Sequence, residues 1–484
     1  MFKRTGSMMF KKTGLALSVI LFLSVTMMQF CHHSKKDDPV PSTTKAAPDT
    51  SGEELSGGGT TMFDASSSAF SFVAPNLTQT QKNSFSSGHS FFNTNWVTAP
   101  SSTTLVDGVG PLLNSRSCSG CHSMDGRGAP PSSPSEELDG LLFRLSIAGS
   151  DAHGGPLGHG EYGTQLSNNA ILGVTREGTV QVDYVTTTGY YKDGGSYELR
   201  TPVYTFKDLG YGDIDGIMYS PRLAQQLPGL GLLEAITVSD LESIADPSDA
   251  DGDGISGRPN YVWNYQTNAT EIGRFGWKAN QPTLLQQTAA AALGDMGITT
   301  SLFPNENLTG QQITLYSSLP NGGTPEMTDN IFNDMVLYCQ ALAVPARRNW
   351  TNALVVRGKE LFTQAKCASC HVPYFVTGTH ELSALRNQKI RPYTDLLLHD
   401  MGPDLADGRP DYLATGSEWR TPPLWGIGLI QTVNKARFLM HDGRARTLEE
   451  AIIWHGGEGT FSKNAFINMN QIDRKALIAF LESL

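Results

Sequence analysis

Two pentapeptides of this sequence share an arrangement of residues that can hold a metal-containing group. They are Cys118-Ser-Gly-Cys121-His122 and Cys367-Ala-Ser-Cys370-His371. Two cysteines separated by two residues, with a histidine directly after the second, are the attachment signature of c-type haem. Both thiols can reach the two vinyl groups of one porphyrin edge, and the histidine supplies the proximal ligand of the iron. The sequence therefore predicts two covalently bound haem c groups.

Zinc binding and disulfide bonding are the alternative uses of these four cysteines. A zinc ribbon keeps its two cysteine pairs within about 15–20 residues of each other, whereas the pairs lie far apart here. Disulfide bonds would not explain the histidine after each pair. The chain has only six cysteines, so it is not a disulfide-rich scaffold. Of the other two, Cys339 lies in an apolar helical stretch and is expected to be a buried thiol.

Composition limits the class of protein. A chain of 484 residues suggests two or three domains. With 39% hydrophobic residues it can bury sizeable cores, and its 50 glycines and 26 prolines predict long irregular connections. The formal net charge of −11 argues against nucleic acid as a partner.

The N-terminus has the pattern of an export signal. Residues 1–30 carry four basic residues and no acidic one, followed by an apolar run. Met9 is a second candidate start, because residues 9–14 nearly repeat residues 1–6. Cys31 after the apolar run resembles a lipoprotein cleavage site, with ordinary secretion and a retained membrane anchor as alternatives. We expect a periplasmic or cell-envelope protein that contacts a membrane, in particular the outer membrane, only through a lipid on Cys31.

The remaining chain is expected to contain a tether and two haem domains. Residues 31–75 are poor in large apolar side chains and predict a disordered tether. Residues 76–345 are assigned to an N-terminal haem domain and residues 346–484 to a C-terminal one. The expected fold is mainly α, with two cytochrome c-like haem domains, long loops and a small β-containing insertion in the N-terminal domain. Alternating residues such as Thr179–Val185 indicate this insertion.

An acidic loop in the N-terminal half has the spacing of a calcium-binding loop. Oxygen donors come from Asp249, Asp251 and Asp253, then from the carbonyl of Ile255 and from the side chain of Asn260. Asn260 stands where such loops have a bidentate glutamate, which lowers the expected affinity. The alternative is a solvated acidic turn.

A candidate sixth ligand for the second haem lies near the C-terminus. Thr447 begins a predicted helix in which Leu448, Ala451, Ile452 and His455 share the apolar face. We therefore expect His455 to be the distal ligand of the His371 haem, which would close that iron to substrates and leave it to carry electrons. The competing candidates are Met440, His441, His399 and Met401.

The first haem has no obvious sixth ligand. Met124 is too close to His122 to reach the opposite face. Other histidines lie in loops rich in Gly and Ser, namely His89, His153 and His159. We expect an iron site that can be open, and an open iron binds small oxygen ligands. Arg116 and Arg127 are candidates for pairing with haem propionates.

From Gly108 to Leu484 the chain resembles the bacterial di-haem c-type oxidoreductases that are classed with peroxidases. More distantly, the C-terminal half is similar to the di-haem cytochrome c peroxidases and to the di-haem enzyme of methylamine utilisation. The runs that carry the resemblance are Gly229–Ile236, Asp251–Arg258, Gly273–Ala279, Val344–Arg348, Pro392–Gly402, Trp419–Gly426 and His441–Thr447.

The resemblance implies a division of labour between two haems. His455 occupies the position of the distal ligand in the related families, which implies a low-spin relay haem in the C-terminal domain. It also implies a reactive haem in the N-terminal domain and a calcium ion near the interface. The catalytic segment of the peroxidases is not recognisable around residues 125–250. Glu234 is our candidate for the acid that assists O–O cleavage, with a structural carboxylate as the alternative.

Three functions are compatible with these features. The first is reduction of hydrogen peroxide or a related oxidant at the His122 haem, with electrons relayed through the His371 haem from a donor cytochrome or small redox protein. The second is a non-catalytic electron carrier in which both irons are six-coordinate. The third resembles the haem-based oxygenases that cleave polymeric isoprenoids, which act on apolar substrates.

Overall fold

Short helices and two-stranded sheets alternate along the chain. The computed structural model describes residues 52–133, 136, 138 and 140–484. The predicted export signal, the candidate lipidation site Cys31 and the first part of the predicted tether lie outside the described residues. No helix within the described residues is long and apolar enough to cross a membrane.

The helices range from single turns to four turns, and polar residues begin many of them. The side chains of Thr78, Thr283, Asn352, Thr447 and Asn470 each accept a hydrogen bond from an amide of the first turn. The α-helices are α1 (Gln79–Asn93), α2 (Cys118–Cys121), α3 (Leu230–Glu234), α4 (Val238–Ser243), α5 (Leu284–Met296), α6 (Gly310–Tyr316), α7 (Asp329–Ala341), α8 (Ala353–Gln364), α9 (Cys367–Cys370), α10 (Ile430–Asn434), α11 (Leu448–Trp454), α12 (Thr460–Asn468) and α13 (Gln471–Ser483).

The named strands pair only in twos, and most pairs are antiparallel. Two longer ladders stand out, β3 with β7 and the twelve-residue hairpin β5 with β6. The strands are β1 (Thr61–Met62), β2 (Leu112–Leu113), β3 (Leu141–Ser146), β4 (Asn169–Ala170), β5 (Thr179–Tyr190), β6 (Ser196–Lys207), β7 (Met218–Leu223), β8 (Tyr261–Asn264), β9 (Ala269–Ile272), β10 (Val344–Pro345), β11 (Phe375–Val376), β12 (Lys389–Ile390), β13 (Leu398–Asp400) and β14 (Glu418–Arg420).

The prediction of a mainly α fold is wrong. Helix accounts for 30% and strand for 18% of the structure, and no cytochrome c-like fold is shown. Glycine and proline interrupt the helical patterns, so that long irregular segments and short β-pairs replace helices. The alternating run Thr179–Val185 does lie in a strand, β5.

Residues 51–484 form one compact unit. One apolar core brings side chains of α1, α3 and α7 together with Phe375, Leu385 and Trp425. A second core lies between α8, α11 and α13. The predicted domain boundary at residue 345 stays a prediction.

Residues 52–75 belong to this folded unit rather than to a tether. Strand β1 pairs in parallel with β10, and Phe70 is fully buried. The carboxylate of Glu53 forms ion pairs with Arg347 and Lys359. Backbone pairing and a buried carboxylate hold this segment, and neither can be recognised from its small, polar composition.

The tip of the β5–β6 hairpin is anchored on the C-terminal helices. Arg474 of α13 pairs with Asp193 at 2.8 Å, and its guanidinium lies 3.8 Å from the ring centroid of Tyr191. The amide of Lys192 donates to the carbonyl of Ile467 in α12. The hairpin thus links the N-terminal half to the C-terminal half.

Replacing Gly358 by alanine should destabilise the protein. Helices α8 and α13 cross at Gly358, where a Cβ would overlap the carbonyl oxygen of Ala476. Overpacking of this kind costs about 1–3 kcal/mol, which exceeds the roughly 1 kcal/mol that alanine gains over glycine in a helix. Urea unfolding should therefore show a lower midpoint for Gly358→Ala.

Gly160→Ala is the matched control, because an added Cβ there meets nothing within 4 Å. We expect its free energy of unfolding to stay within about 0.5 kcal/mol of the wild type. An unchanged midpoint for Gly358→Ala would mean that the two helices separate without cost.

Candidate functional site

The first pentapeptide forms a single helical turn at the wall of a cavity. Cys118 and Cys121 begin and end α2, and the side chain of Ser117 caps the turn by accepting from the amide of Gly120. The Nδ1 atom of His122 lies 2.8 Å from the carbonyl oxygen of Gln225. A carbonyl partner fixes the proton on Nδ1 and leaves the lone pair of Nε2 free. This is the arrangement of a metal-binding histidine.

The second pentapeptide repeats this arrangement. Cys367 and Cys370 delimit α9, and Nδ1 of His371 lies 2.9 Å from the carbonyl oxygen of Tyr393. Burial lowers the pKa of His371 to about 4. A neutral imidazole with its proton on Nδ1 again presents Nε2 as a ligand.

His455 lies opposite His371. It follows α11, and its Nδ1 lies 2.7 Å from the carbonyl oxygen of Ala451. The ring centroids of His371 and His455 are 6.5 Å apart. Two imidazoles that bind one metal ion from opposite sides at about 2 Å have centroids roughly 6–6.5 Å apart. The two side chains therefore have the spacing of an axial pair.

The other candidate ligands line the same cavity, but their environments differ. Nε2 of His399 lies 2.8 Å from Oδ2 of Asp395, and its Nδ1 lies 2.7 Å from Oε2 of Glu458. Neither nitrogen is therefore free to bind a metal. The ring of His441 lies flat against Trp419, with centroids 3.9 Å apart. Only His455 combines a free Nε2 with the spacing of an axial ligand. The remaining candidates in the lining are Met401 and Met440.

The charge on His399 predicts a pH-dependent contribution to stability. Burial alone lowers its pKa, but Asp395 and Glu458 outweigh burial and raise the pKa of His399 well above its usual range. A raised folded-state pKa stabilises the fold fully below the unfolded value of about 6.5, and this contribution disappears as the pH rises through the raised pKa.

The melting temperatures of wild type and His399→Gln should therefore differ most in mildly acidic solution, as long as Asp395 and Glu458 stay ionised. The gap should narrow as the pH rises. Thermal unfolding followed by circular dichroism at several pH values measures it. A gap that widens with pH would show that His399 is neutral in the folded protein.

Each pentapeptide borders a cavity, and the two cavities are similar in size. We call the space lined by Cys118, Cys121 and His122 the His122 cavity, and the space lined by His371 and His455 the His371 cavity. They enclose about 1470 and 1350 Å³ of empty space, part of it open to solvent.

The His122 cavity differs from the His371 cavity in its histidines. Among the described residues, no histidine other than His122 lines it. His153 stacks on Trp263 with centroids 4.3 Å apart. The histidines His89 and His159 contact tyrosines outside the lining.

Asp295 supplies the carboxyl group of the His122 cavity. It is the only Asp or Glu among the described residues that line the cavity. Its Oδ1 accepts a hydrogen bond of 2.8 Å from Gln165. Burial raises the pKa of Asp295, although the nearby Arg144 works in the opposite direction. Asp295 is thus suited to hold a proton at a higher pH than an exposed aspartate.

Both cavities contain arginines that suit an anionic group. Arg144 lines the His122 cavity, and burial lowers the pKa of its guanidinium. Arg127 follows the first pentapeptide but lines the His371 cavity, where its buried Nε lacks a partner among the described residues. Such groups fit the propionates of a haem. Arg116 is exposed and lines neither cavity.

One layer of side chains separates the two cavities. Gln226, Trp277 and Arg420 line both of them. The indole Nε1 of Trp277 donates to the carbonyl oxygen of Leu223 at 2.8 Å, which fixes the ring in the wall. The two sites are therefore direct neighbours.

The sequence matches the protein family described as "Di-haem oxidoreductase, putative peroxidase" over residues 51–484. The chain belongs to this family. Haem is therefore its cofactor, and the resemblance noted in the sequence is confirmed. Neither a curated protein nor a solved structure matches the chain.

In this di-haem oxidoreductase, Glu234 lies outside both cavities. Its Oε1 accepts from the amide of Leu284 at 2.7 Å, and its Oε2 accepts from Nε2 of Gln340 at 2.8 Å. Nε2 of His380 lies 3.1 Å from the same oxygen. These contacts join α3 to α5 and α7. They fit the alternative reading of Glu234 as a structural carboxylate and not as a catalytic acid.

Asp295 was not recognised in the sequence, although a signal for it exists. Leu284, Thr288, Ala291 and Asp295 fall at i, i+4, i+7 and i+11 of α5 and all line the His122 cavity. A single carboxylate on an otherwise uncharged, inward helical face is unusual. Cys339 is buried as expected and lines the same cavity.

The acidic loop of the oxidoreductase brings together a different set of residues from the predicted one. Oxygens of Asp246, Asp249 and Asp251 lie within 4.8 Å of one another. Oδ1 of Asp253 instead accepts from the amide of Ile255.

Asn260 has no atom free for a cation. It is fully buried, its Oδ1 accepts from the amide of Leu413, and its Nδ2 donates to the carbonyls of Lys278 and Asp411. Calcium binding by the acidic loop stays a prediction, and Asn260 is not part of the predicted site.

Proposed function

We propose that this di-haem oxidoreductase reduces hydrogen peroxide in the His122 cavity with electrons that enter at the His371 cavity. One contrast carries the proposal. The His371 cavity has two imidazoles at the spacing of an axial pair. The His122 cavity has one imidazole and one carboxyl group among the described residues that line it. Two histidines at this spacing suit a haem iron whose sixth position is filled. A single histidine suits a haem iron whose sixth position is open to substrate.

The residues present fit two c-type haems. We propose that the thiols of Cys118 and Cys121 hold one porphyrin and those of Cys367 and Cys370 the other, with His122 and His371 as proximal ligands. A bound haem supplies an iron that exchanges electrons and, where its sixth position is open, binds small oxygen ligands.

Asp295 is proposed to give a proton to the oxygen that leaves the peroxide. An acid near the reacting group contributes typically about 10²–10⁴-fold to the rate. Its raised pKa keeps Asp295 protonated over a wider pH range than an exposed aspartate. Apolar side chains line much of this cavity, and they include Leu141, Leu223, Leu227, Phe275 and Leu284.

The His371 cavity is proposed to receive electrons. His371 and His455 would hold this haem from its two sides, which would exclude substrates from its iron. The wall of Gln226, Trp277 and Arg420 is shared by both cavities, which keeps the path between them short. The donor is proposed to be a cytochrome or another small redox protein.

Export is part of this proposal. The sequence of residues 1–30 supports secretion, and Cys31 supports a lipid anchor on the outer membrane or elsewhere in the cell envelope. A location outside the cytoplasm also suits haem attachment through paired cysteines. Mass spectrometry of the mature N-terminus would show whether residue 31 is the lipidated first residue.

Peroxide consumption by the purified, half-reduced protein tests the proposal. We expect hydrogen peroxide to disappear with two electrons consumed per molecule and with a change in the absorption of one haem. No high-spin ferric signal and no response to peroxide would favour the electron carrier instead. Oxygen uptake with a polyisoprene substrate would favour the oxygenase.

A further inference from the structure

A buried tyrosine lies behind the His122 cavity with its hydroxyl bonded to a carboxylate. Tyr338 of α7 is fully buried, and its hydroxyl donates to Oδ1 of Asp125 at 2.5 Å. The other carboxylate oxygen accepts from the hydroxyl of Ser71 at 2.5 Å. Both oxygens of Asp125 thus act as acceptors, as expected of an ionised carboxylate.

Tyr338 is connected to the His122 cavity by ring contacts and by its own helix. The ring of Phe92 lies 5.1 Å from that of Tyr338 and 6.3 Å from that of His122, measured between centroids. Met335 and Cys339, neighbours of Tyr338 on α7, line the cavity. Two ring-to-ring contacts therefore separate Tyr338 from His122.

The tryptophans that line the cavities have the opposite electrostatic environment. A guanidinium of Arg127 lies 5.3 Å from the ring centroid of Trp277, and the ammonium of Lys278 lies 4.5 Å from that of Trp419. A cation over a ring is attracted by its π electrons and therefore opposes removal of an electron. Within the described residues, no lysine or arginine lies over Tyr338.

We propose that Tyr338 is a redox-active residue that lends one electron to the His122 site during peroxide reduction, and this inference rests on the proposed function. Hydrogen peroxide needs two electrons and two protons to become two molecules of water. Tyr338 would supply one electron and a haem iron the other, while both protons would come from solvent, one of them by way of Asp295. When Tyr338 gives its electron, its O–H bond breaks and the proton passes to Oδ1 of Asp125. When the donor later supplies an electron, Asp125 returns the proton and the phenol is restored.

Burial, together with the charge of Asp125, raises the pKa of Tyr338 well above its usual range. The phenol therefore keeps its proton in the resting protein, and Asp125 lies in place to accept that proton when the electron leaves. The titratable groups that face the pair are His89, His122, Cys118 and Cys339. The exposed ring of His89 lies 5.5 Å from that of Tyr338.

Freeze-quench electron paramagnetic resonance tests the inference. The oxidised holoprotein is mixed with one equivalent of hydrogen peroxide, and the haem absorption is recorded in parallel. We expect an organic radical signal whose hyperfine splitting collapses when the protein contains ring-deuterated tyrosine. Tyr338→Phe should lose the signal while keeping the resting haem spectrum. Asp125→Asn should also lose it, because the proton acceptor is removed.

Tyr204→Phe is the matched control. The Tyr204 hydroxyl also donates to a buried carboxylate, that of Asp442, but this carboxylate is already paired with Arg444. This variant should keep the radical. A haem that responds to peroxide without a radical, or a radical that persists in Tyr338→Phe, would overturn the inference alone. A haem that does not respond to peroxide would overturn the proposed function and the inference together.

Discussion

Replacing His455 by alanine should convert the His371 haem from low-spin to high-spin while both haems stay attached to the chain. The His371 and His455 rings have the spacing of an axial pair, and Nδ1 of each is bonded to a backbone carbonyl. Removing one imidazole leaves the sixth position to water or to no ligand, which weakens the ligand field. Absorption and electron paramagnetic resonance spectra of the ferric protein measure the change, and denaturing gels stained for haem show attachment.

His441→Ala is the control for this substitution. His441 lines the same cavity, but its ring is held flat against Trp419. We expect its loss to leave the low-spin signal in place. An unchanged spectrum for His455→Ala would mean that another group fills the sixth position of this haem. Loss of the low-spin signal in His441→Ala would identify that group as His441.

Asp295→Asn should slow peroxide reduction by about 10²–10⁴-fold, mainly in kcat, because the proton donor is lost. Burial raises the pKa of Asp295, so the wild-type rate should fall only when the pH rises through that raised value. The variant should lack this fall. Initial rates of peroxide consumption over a range of pH, with a reduced small-molecule donor, measure both effects.

Glu234→Gln is the matched carboxylate control. Glu234 lies outside both cavities, and a glutamine oxygen can still accept from the amide of Leu284. Its rate and pH profile should stay close to those of the wild type. If both variants lost the same fraction of the rate, Asp295 would affect the rate by stabilising the fold and not by donating a proton. An unchanged rate in Asp295→Asn would show that Asp295 takes no part in the reaction.

Features that depend on short-range residue spacing could be predicted from the sequence. The spacing within each pentapeptide leads directly to a single helical turn with the following histidine at the cavity wall. The helical period before His455 predicted an inward-facing side chain, and His455 lines the His371 cavity. These features depend on residues within one or two turns, where backbone geometry alone relates sequence to position.

Features that depend on contacts between distant parts of the chain could not be predicted from the sequence. Asn260 occupies the twelfth position of the acidic loop, but the carbonyl of Lys278 and the backbone around Asp411 draw its side chain into the core. Arg127 follows the first pentapeptide in sequence and yet lines the second cavity. The helix content was overestimated in part because the pairs β1–β10 and β3–β7 join segments that lie far apart in sequence.

The spin state of the two haems in the oxidised wild-type protein tests most directly whether one site is closed and the other open. We expect equal amounts of low-spin and high-spin ferric haem, and binding of cyanide to only one haem per chain. Electron paramagnetic resonance, with cyanide titration followed by absorption, measures both. Two low-spin haems that bind no cyanide, or two high-spin haems, would contradict the assignment of one closed and one open site.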